Sequence, residues 1–231
     1  SPSLDHVGIF ATNLADATTT AAVLVERWRP RGPERQPVLG IPQGQYLDRA
    51  SSVAQSHFRQ VCDSLRASGW QIRSVEIFDD FSSIEGRHHL IMAAEAARVH
   101  RDWYDRFGDL YHPKTRELIE RGNRVSDQEL AASLPEIAQL RQQIEQQMER
   151  QGIDFWISPA ATGPAPVGIG ATGDPVMNLP WTQAGLPAIS LPAGADSRGL
   201  PLGLQVVGRF GCDEGLLAAS ADLETTLDRQ A

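Results

Sequence analysis

The sequence is short of lysine, cysteine and long apolar runs, and each shortage narrows the chemistry it can carry. Lys114 is the one lysine among 21 basic residues. It lies in HPKTRE, a proline-bounded polar stretch that reads as the solvated opening of a helix, where an amine keeps a pKa near ~10.4 and stays protonated. A lysine that accepts a proton must be neutral, so Lys114 is a poor base. Cys62 and Cys212 are too few and too far apart for a disulfide framework or a zinc site, and read as two thiols in a reducing compartment. No apolar stretch approaches the ~20 residues that span a bilayer. Basic runs are missing too, and a net charge of −8 with a pI near 5.2 disfavours nucleic acid or an anionic membrane as partner. There is no HExxH spacing; Glu95 and His100 are five apart and His88 and His89 point in different directions, so no metal and no cofactor is expected. The chain starts at Ser1 with neither an initiator Met nor a signal-type apolar segment, as expected of a processed, trimmed or partial sequence with a cytoplasmic location.

What is present suffices for a real core: 231 residues, 41% of them apolar, allow one large domain or two small ones. Asn13 can cap a helix reaching about Trp28, broken by Pro30 to Pro37. Val38 to Ile41 reads as a strand ending at Pro42, followed by a helix from Asp48 with Val53, Phe58, Val61 and Leu65 on its apolar face and a stop at Gly69. Gln71 to Ile77 is the next strand, which makes a right-handed parallel βαβ unit if the two strands are neighbours. A long helix follows from Asp80 to about Phe107. Ser126 with Glu129 forms a capping-box pattern, and the helix it opens runs to Gly152 with a kink or break at Pro135. Gln142 to Gln151 reads as a solvated face. Phe155 to Ser158 is a strand leading into a Pro- and Gly-rich loop, 160–173. Ala188 to Pro192 and Leu202 to Val207 are apolar on successive residues and read as strands covered on both faces.

The run TGDPVMNLPWTQAGLPAISLPAGADSRGLPLGLQVVG, Thr172 to Gly208, resembles the C-terminal end of the amidase signature family, whose wording is aGlPaislPaG followed by GLPlGlQvvG and a last helix. Ala184 to Gly194 and Gly199 to Gly208 carry it. SPSLDHVGIFATNLADA, Ser1 to Ala17, is similar to the segment that follows the catalytic core of that family, and Asp154, Ser158, Pro159 and Ala160 match its D.l..Pa element. Glu95, His100, Trp103, Tyr111, Thr115, Arg116, Gly122 and Ser126 resemble the family's helical insertion, whose wording here is closer to stand-alone bacterial amidases than to tRNA amidotransferase subunits. The resemblance implies an α/β fold, a mixed β-sheet flanked by helices, forming one domain over 1–231 as the C-terminal part of the amidase signature fold, with a helical insertion at about 80–150.

The same resemblance implies a hydrolase of carboxamide C–N bonds that uses a Ser, cis-Ser and Lys triad, with a GGS element at its oxyanion site. This sequence has no Gly-Gly dipeptide, and its serine pairs, Ser51 with Ser52 and Ser82 with Ser83, lack glycine-rich surroundings and read as helix starts. The chain is therefore expected to complete the sheet and wall the substrate cavity, with no catalytic residue of its own and no activity alone. Family members close that cavity with the tgdp.mn.pwt element, here Gly173, Asp174, Met177, Asn178, Trp181 and Thr182, which implies a small-molecule amide substrate. Asp174 and Asn178 offer hydrogen bonds and Trp181 an apolar wall; equally, Asp174 before Pro175 suits a turn, Asn178 suits a backbone contact, and Trp181 suits a core. Trp103, Tyr104, Phe107 and Tyr111 suit core packing or the mouth of the cavity. Expected partners are an N-terminal amidase half or a second copy of the chain. A non-catalytic small-amide-binding or scaffold protein of amidase descent, and a hydrolase with an unrelated site, are the alternatives.

Overall fold

The structure is a computed structural model that describes residues 1–29, 32 and 35–229. Five strands form one mixed sheet in the order β2-β1-β3-β5-β4: β1 (Leu39–Gln43), β2 (Ile72–Glu76), β3 (Phe155–Pro159), β4 (Ala188–Ala195) and β5 (Pro201–Val207). β1 pairs with β2 and β3 in parallel, whereas β5 runs antiparallel to both β3 and β4. Period-two alternation sends Phe155 and Ile157 to one face of β3 and Trp156 to the other. On the first face lie α2 (Ser52–Ala67) and α8 (Asp213–Asp228), which bury Phe58, Leu65, Leu216 and Leu223. The second face is covered by α3 (Phe81–Phe107), α6 (Pro135–Gln151) and α7 (Leu179–Ala184), with Trp156, Ile144 and Trp181 at its centre. The result is a three-layer α/β/α arrangement. α1 (Leu14–Leu24) packs on α8, and α4 (Pro113–Gly122) and α5 (Asp127–Ser133) complete a helical stretch between β2 and β3.

Local signals account for most boundaries. Ser51 Oγ accepts from Ala54 N–H, and the Ser126–Glu129 capping box closes in both directions. Pro135 starts α6 and so divides the 126–152 span into two helices, and Gly152 ends α6 in the left-handed region at φ 57°. β1 and β2 are parallel neighbours joined through α2. Glu95 is buried on α3 and accepts Ser1 Oγ at 2.6 Å, Ser3 N at 2.9 Å and Ser3 Oγ at 2.5 Å, which fastens the first residues to the helical layer. Asp154 stitches the entry to β1: it accepts Val38 N and receives both terminal nitrogens of Arg35.

Several expectations are corrected. α1 stops at Leu24, four residues before Trp28, because Val23, Leu24 and Val25 face solvent with nothing to bury them. The expected break at Pro30 to Pro37 lies partly outside the described residues. β1 runs through Pro42 to Gln43, which is allowed because its ladder to β3 ends at Gly40. Asp48 lies in a short 3-10 turn, Leu47–Arg49, and α2 begins after it, with Val53 exposed and Ala54 in its place on the apolar face. β4 is not covered on both faces: Ile189, Leu191 and Ala193 pack toward α2 and α8, but Ala188, Ser190, Pro192 and Gly194 are exposed. Trp103 and Phe107 are likewise exposed, whereas Tyr104, Tyr111 and His100 stack edge-to-face beside α4.

Candidate functional site

The C-terminal ends of the parallel strands carry a buried polar cluster. β1 delivers Tyr46, β3 delivers Ser158, and β5 presents Gln205 from the neighbouring strand, all within 2% exposure. The Tyr46 hydroxyl donates to the Met177 carbonyl at 2.7 Å, and Gln205 Nε2 donates to the same carbonyl at 3.0 Å. Gln205 Nε2 also donates to Ser158 Oγ at 3.0 Å, Ser158 and Tyr46 share a hydroxyl contact at 3.0 Å, and Trp181 Nε1 donates to the Tyr46 oxygen at 2.9 Å. Burial drives the Tyr46 phenol far above its ordinary pKa, against the opposing pull of its bonds from Ser158, Trp181 and Gln205, so the cluster is neutral throughout. Around it Tyr46, Phe78, Phe81 and Trp181 pack edge-to-face with ring centroids 5.4 to 5.7 Å apart, except for the tilted Phe78–Phe81 pair at 6.2 Å. Phe78 is in the left-handed region at φ 65°, a strained conformation for a bulky residue, held by that packing.

The segment 173–182 folds over this cluster. Gly173, Asp174 and Asn178 face outward and Thr182 is half-buried. Met177 and Trp181 are fully buried, Trp181 stacked on Trp156 with its indole N–H spent on Tyr46. Asp174 caps the short 3-10 turn Pro175–Met177 by accepting Val176 N at 3.0 Å, and its charge reaches Arg49. Arg49 is paired with Glu85 at 2.8 Å; that bond, with the Glu85 charge and the more distant Asp174, holds the guanidinium above its ordinary pKa. The loop 160–173 leading to the turn is half-buried at its start, where Ser51 N–H donates to Thr162 C=O, and exposed from Ala165 on, with Val167 and Ile169 in solvent.

Elsewhere the candidate groups are apart. Lys114 is exposed at the start of α4, Ser51 caps α2, and Ser82 and Ser83 open α3 around the Asp80 carboxylate. No cluster of three or more potential metal ligands occurs among the described residues, nor a helix long and apolar enough to cross a membrane. A groove of about 440 Å³ runs between α3 and α6 from the end of β2, floored by Phe78, Ile84 and Ile144 and walled by glutamines of α6 and the Arg87–Glu136 ion pair. Sequence reading passed over Tyr46 and assigned no role to Gln205. Its signal was there: a glutamine inside an otherwise apolar strand and a serine in FWISP are buried polar groups that must find partners.

A three-layer α/β fold with a neutral polar cluster under the C-terminal ends of its parallel strands has the α/β architecture in which ligands gather at those strand ends. A profile described as Amidase matches residues 1–217, and the chain belongs to that family. Among curated proteins it is similar to a glutamyl-tRNA(Gln) amidotransferase subunit from Methylorubrum populi, 47% identical over 87 residues, 34% of this chain and 17% of that protein. It is also similar to the putative amidase AmiD of Mycobacterium bovis, 32% identical over 137 residues, 54% of this chain and 28% of the relative. A solved amidase structure superposes with a TM-score of 0.82 at 25% identity over 93% of this chain and 51% of that one. A 6-aminohexanoate cyclic dimer hydrolase shares the fold, with a TM-score of 0.69 at 20% identity over 94% and 54%. The chain therefore spans about half the length of these solved relatives.

Proposed function

We propose that this chain is the C-terminal portion of an amidase-type hydrolase of carboxamide C–N bonds, cytoplasmic, in which the nucleophilic serine and the lysine base lie outside the chain. In this reading residues 1–231 belong to a single domain with a helical insertion at about 80–150. Gly173, Asp174, Asn178 and Thr182 meet a small amide substrate, while Met177 and Trp181 back that wall from the core. The observation that carries the reading is β4. It is an edge strand of eight residues, AISLPAGA, with no charge, an unpaired outer side and one uncovered face made of the small or polar residues Ala188, Ser190, Pro192 and Gly194. An edge of this kind is ordinarily blunted by charge or covered, so its form supports a partner strand or layer from an N-terminal amidase half. Without the triad, substrate binding alone gives no rate on the chemical step.

Co-expression with the N-terminal half of an amidase, followed by size-exclusion chromatography, tests the assembly. A one-to-one complex is expected for the native chain and none for Ser190→Lys, which places a charge on the open face of β4. A monomer that ignores the N-terminal half yet binds small amides would favour the non-catalytic reading, and a homodimer through β4 would make a second copy the partner.

A further inference from the structure

The Tyr46, Ser158 and Gln205 cluster holds more than a core needs. Three polar side chains, all within 2% exposure, lose their water, and apolar groups of similar shape would pack as stably in such a place. Their bonds converge instead on a single backbone atom. The Met177 carbonyl receives one donor from β1's extension and one from β5, at 2.7 and 3.0 Å, which uses both of its lone pairs and fixes its direction. Ser158 ties those two donors together, and Trp181 Nε1 closes the circuit from the far end of the same segment. Val176, Met177, Leu179 and Trp181 are buried and set the depth of the segment, but apolar contact is non-directional. The hydrogen bonds add a directional restraint on which way the turn faces. Before the turn the chain offers little help, since 167–173 is exposed.

We infer that Tyr46, Ser158 and Gln205 are positioning residues, which lock the Met177 carbonyl and thereby aim Asp174, Asn178 and Thr182 at an amide substrate. This rests on the wall assigned to 173–182 above. The residues touch no substrate; they act through the turn. Being neutral, they hold it without a charge that would compete with Asp174 for the ligand.

Hydrogen exchange of the purified chain tests the locking without any activity. Tyr46→Phe removes one donor to Met177 and the acceptor of Trp181 Nε1, and Gln205→Met removes the other donor at similar volume. Each is expected to raise exchange about tenfold for peptides covering 174–182, with β1 and β3 unchanged, the size of effect that one net hydrogen bond supports. Unchanged exchange at 174–182, or a uniform rise through all core strands, overturns the inference. In the co-assembled hydrolase the same variants are expected to raise KM about tenfold and leave kcat within about threefold; an equal loss in kcat with KM unchanged would also overturn it. If co-assembly yields no hydrolase while the exchange effect is local, the amidase reading of the wall falls and the locking role stands.

Discussion

Gly122 and Gly86 form a matched pair in which one substitution has opposite signs. Gly122 is the last residue of α4, where that helix crosses α3; a Cβ there would lie 1.9 Å from the Ala93 carbonyl oxygen and 2.8 Å from Ala97 Cβ. Carbon and oxygen approach no closer than ~3.3 Å without strain, so Gly122→Ala forces α4 outward by more than an ångström against backbone that cannot rotate away. Overpacking of this kind costs about 1–3 kcal/mol, and at a helix end the propensity gain of alanine over glycine returns less than ~1 kcal/mol. The expected net loss is about 1–2 kcal/mol, or roughly 2–8 °C in Tm for a domain of this size. Gly86, in the interior of α3, has open space where its Cβ would go. Gly86→Ala is therefore expected to stabilise by about 0.5–1 kcal/mol. Urea denaturation of both variants with unchanged m-values measures the pair. A Gly122→Ala protein as stable as the parent would refute the close α3–α4 crossing.

Three further outcomes follow from named contacts. Burial alone would raise the Glu95 pKa, but the bonds from Ser1 and Ser3 win and lower it, so the tie between the first residues and α3 is in force above the ordinary carboxylate pKa of 4.5 and is lost as pH falls through the lower folded value; limited proteolysis of 1–12 should rise on acidification and, at neutral pH, in Glu95→Ala. Burial pushes the Cys62 thiol up to about 12, so it should resist a disulfide reagent at pH 8 until the chain unfolds; rapid modification of Cys62 in the folded protein would contradict its place under α2. His88, held down to about 4 by burial and by the neighbouring His89, should show no imidazole titration by NMR between pH 5.5 and 8.

Much of the architecture was legible because it is written locally. The Ser126–Glu129 box, the Pro135 break, the Gly152 stop and the βαβ order of β1, α2 and β2 are set by residues a few positions apart. What escaped depends on partners far along the chain. The unpaired outer side of β4 follows from sheet order, not from the apolar run AISLP, which reads the same for a central strand. α1 falls short of Trp28 because tertiary burial, which no periodicity reports, is missing at its end. Tyr46 is bound to Met177 across 131 positions, so the polar contacts beneath the 173–182 segment could not be read from spacing, although Gln205 and Ser158 advertised a need for partners.

Amide hydrolysis measured on the chain alone, and on its complex with an N-terminal amidase half, tests whether the reactive serine and its base lie outside residues 1–231. No turnover above the buffer rate is expected for the chain alone, and turnover in the complex should vanish when the nucleophilic serine of the N-terminal half is replaced by alanine. Turnover by the chain alone that disappears on replacing one of its own serines, Ser51 or Ser83 first among them, would contradict it.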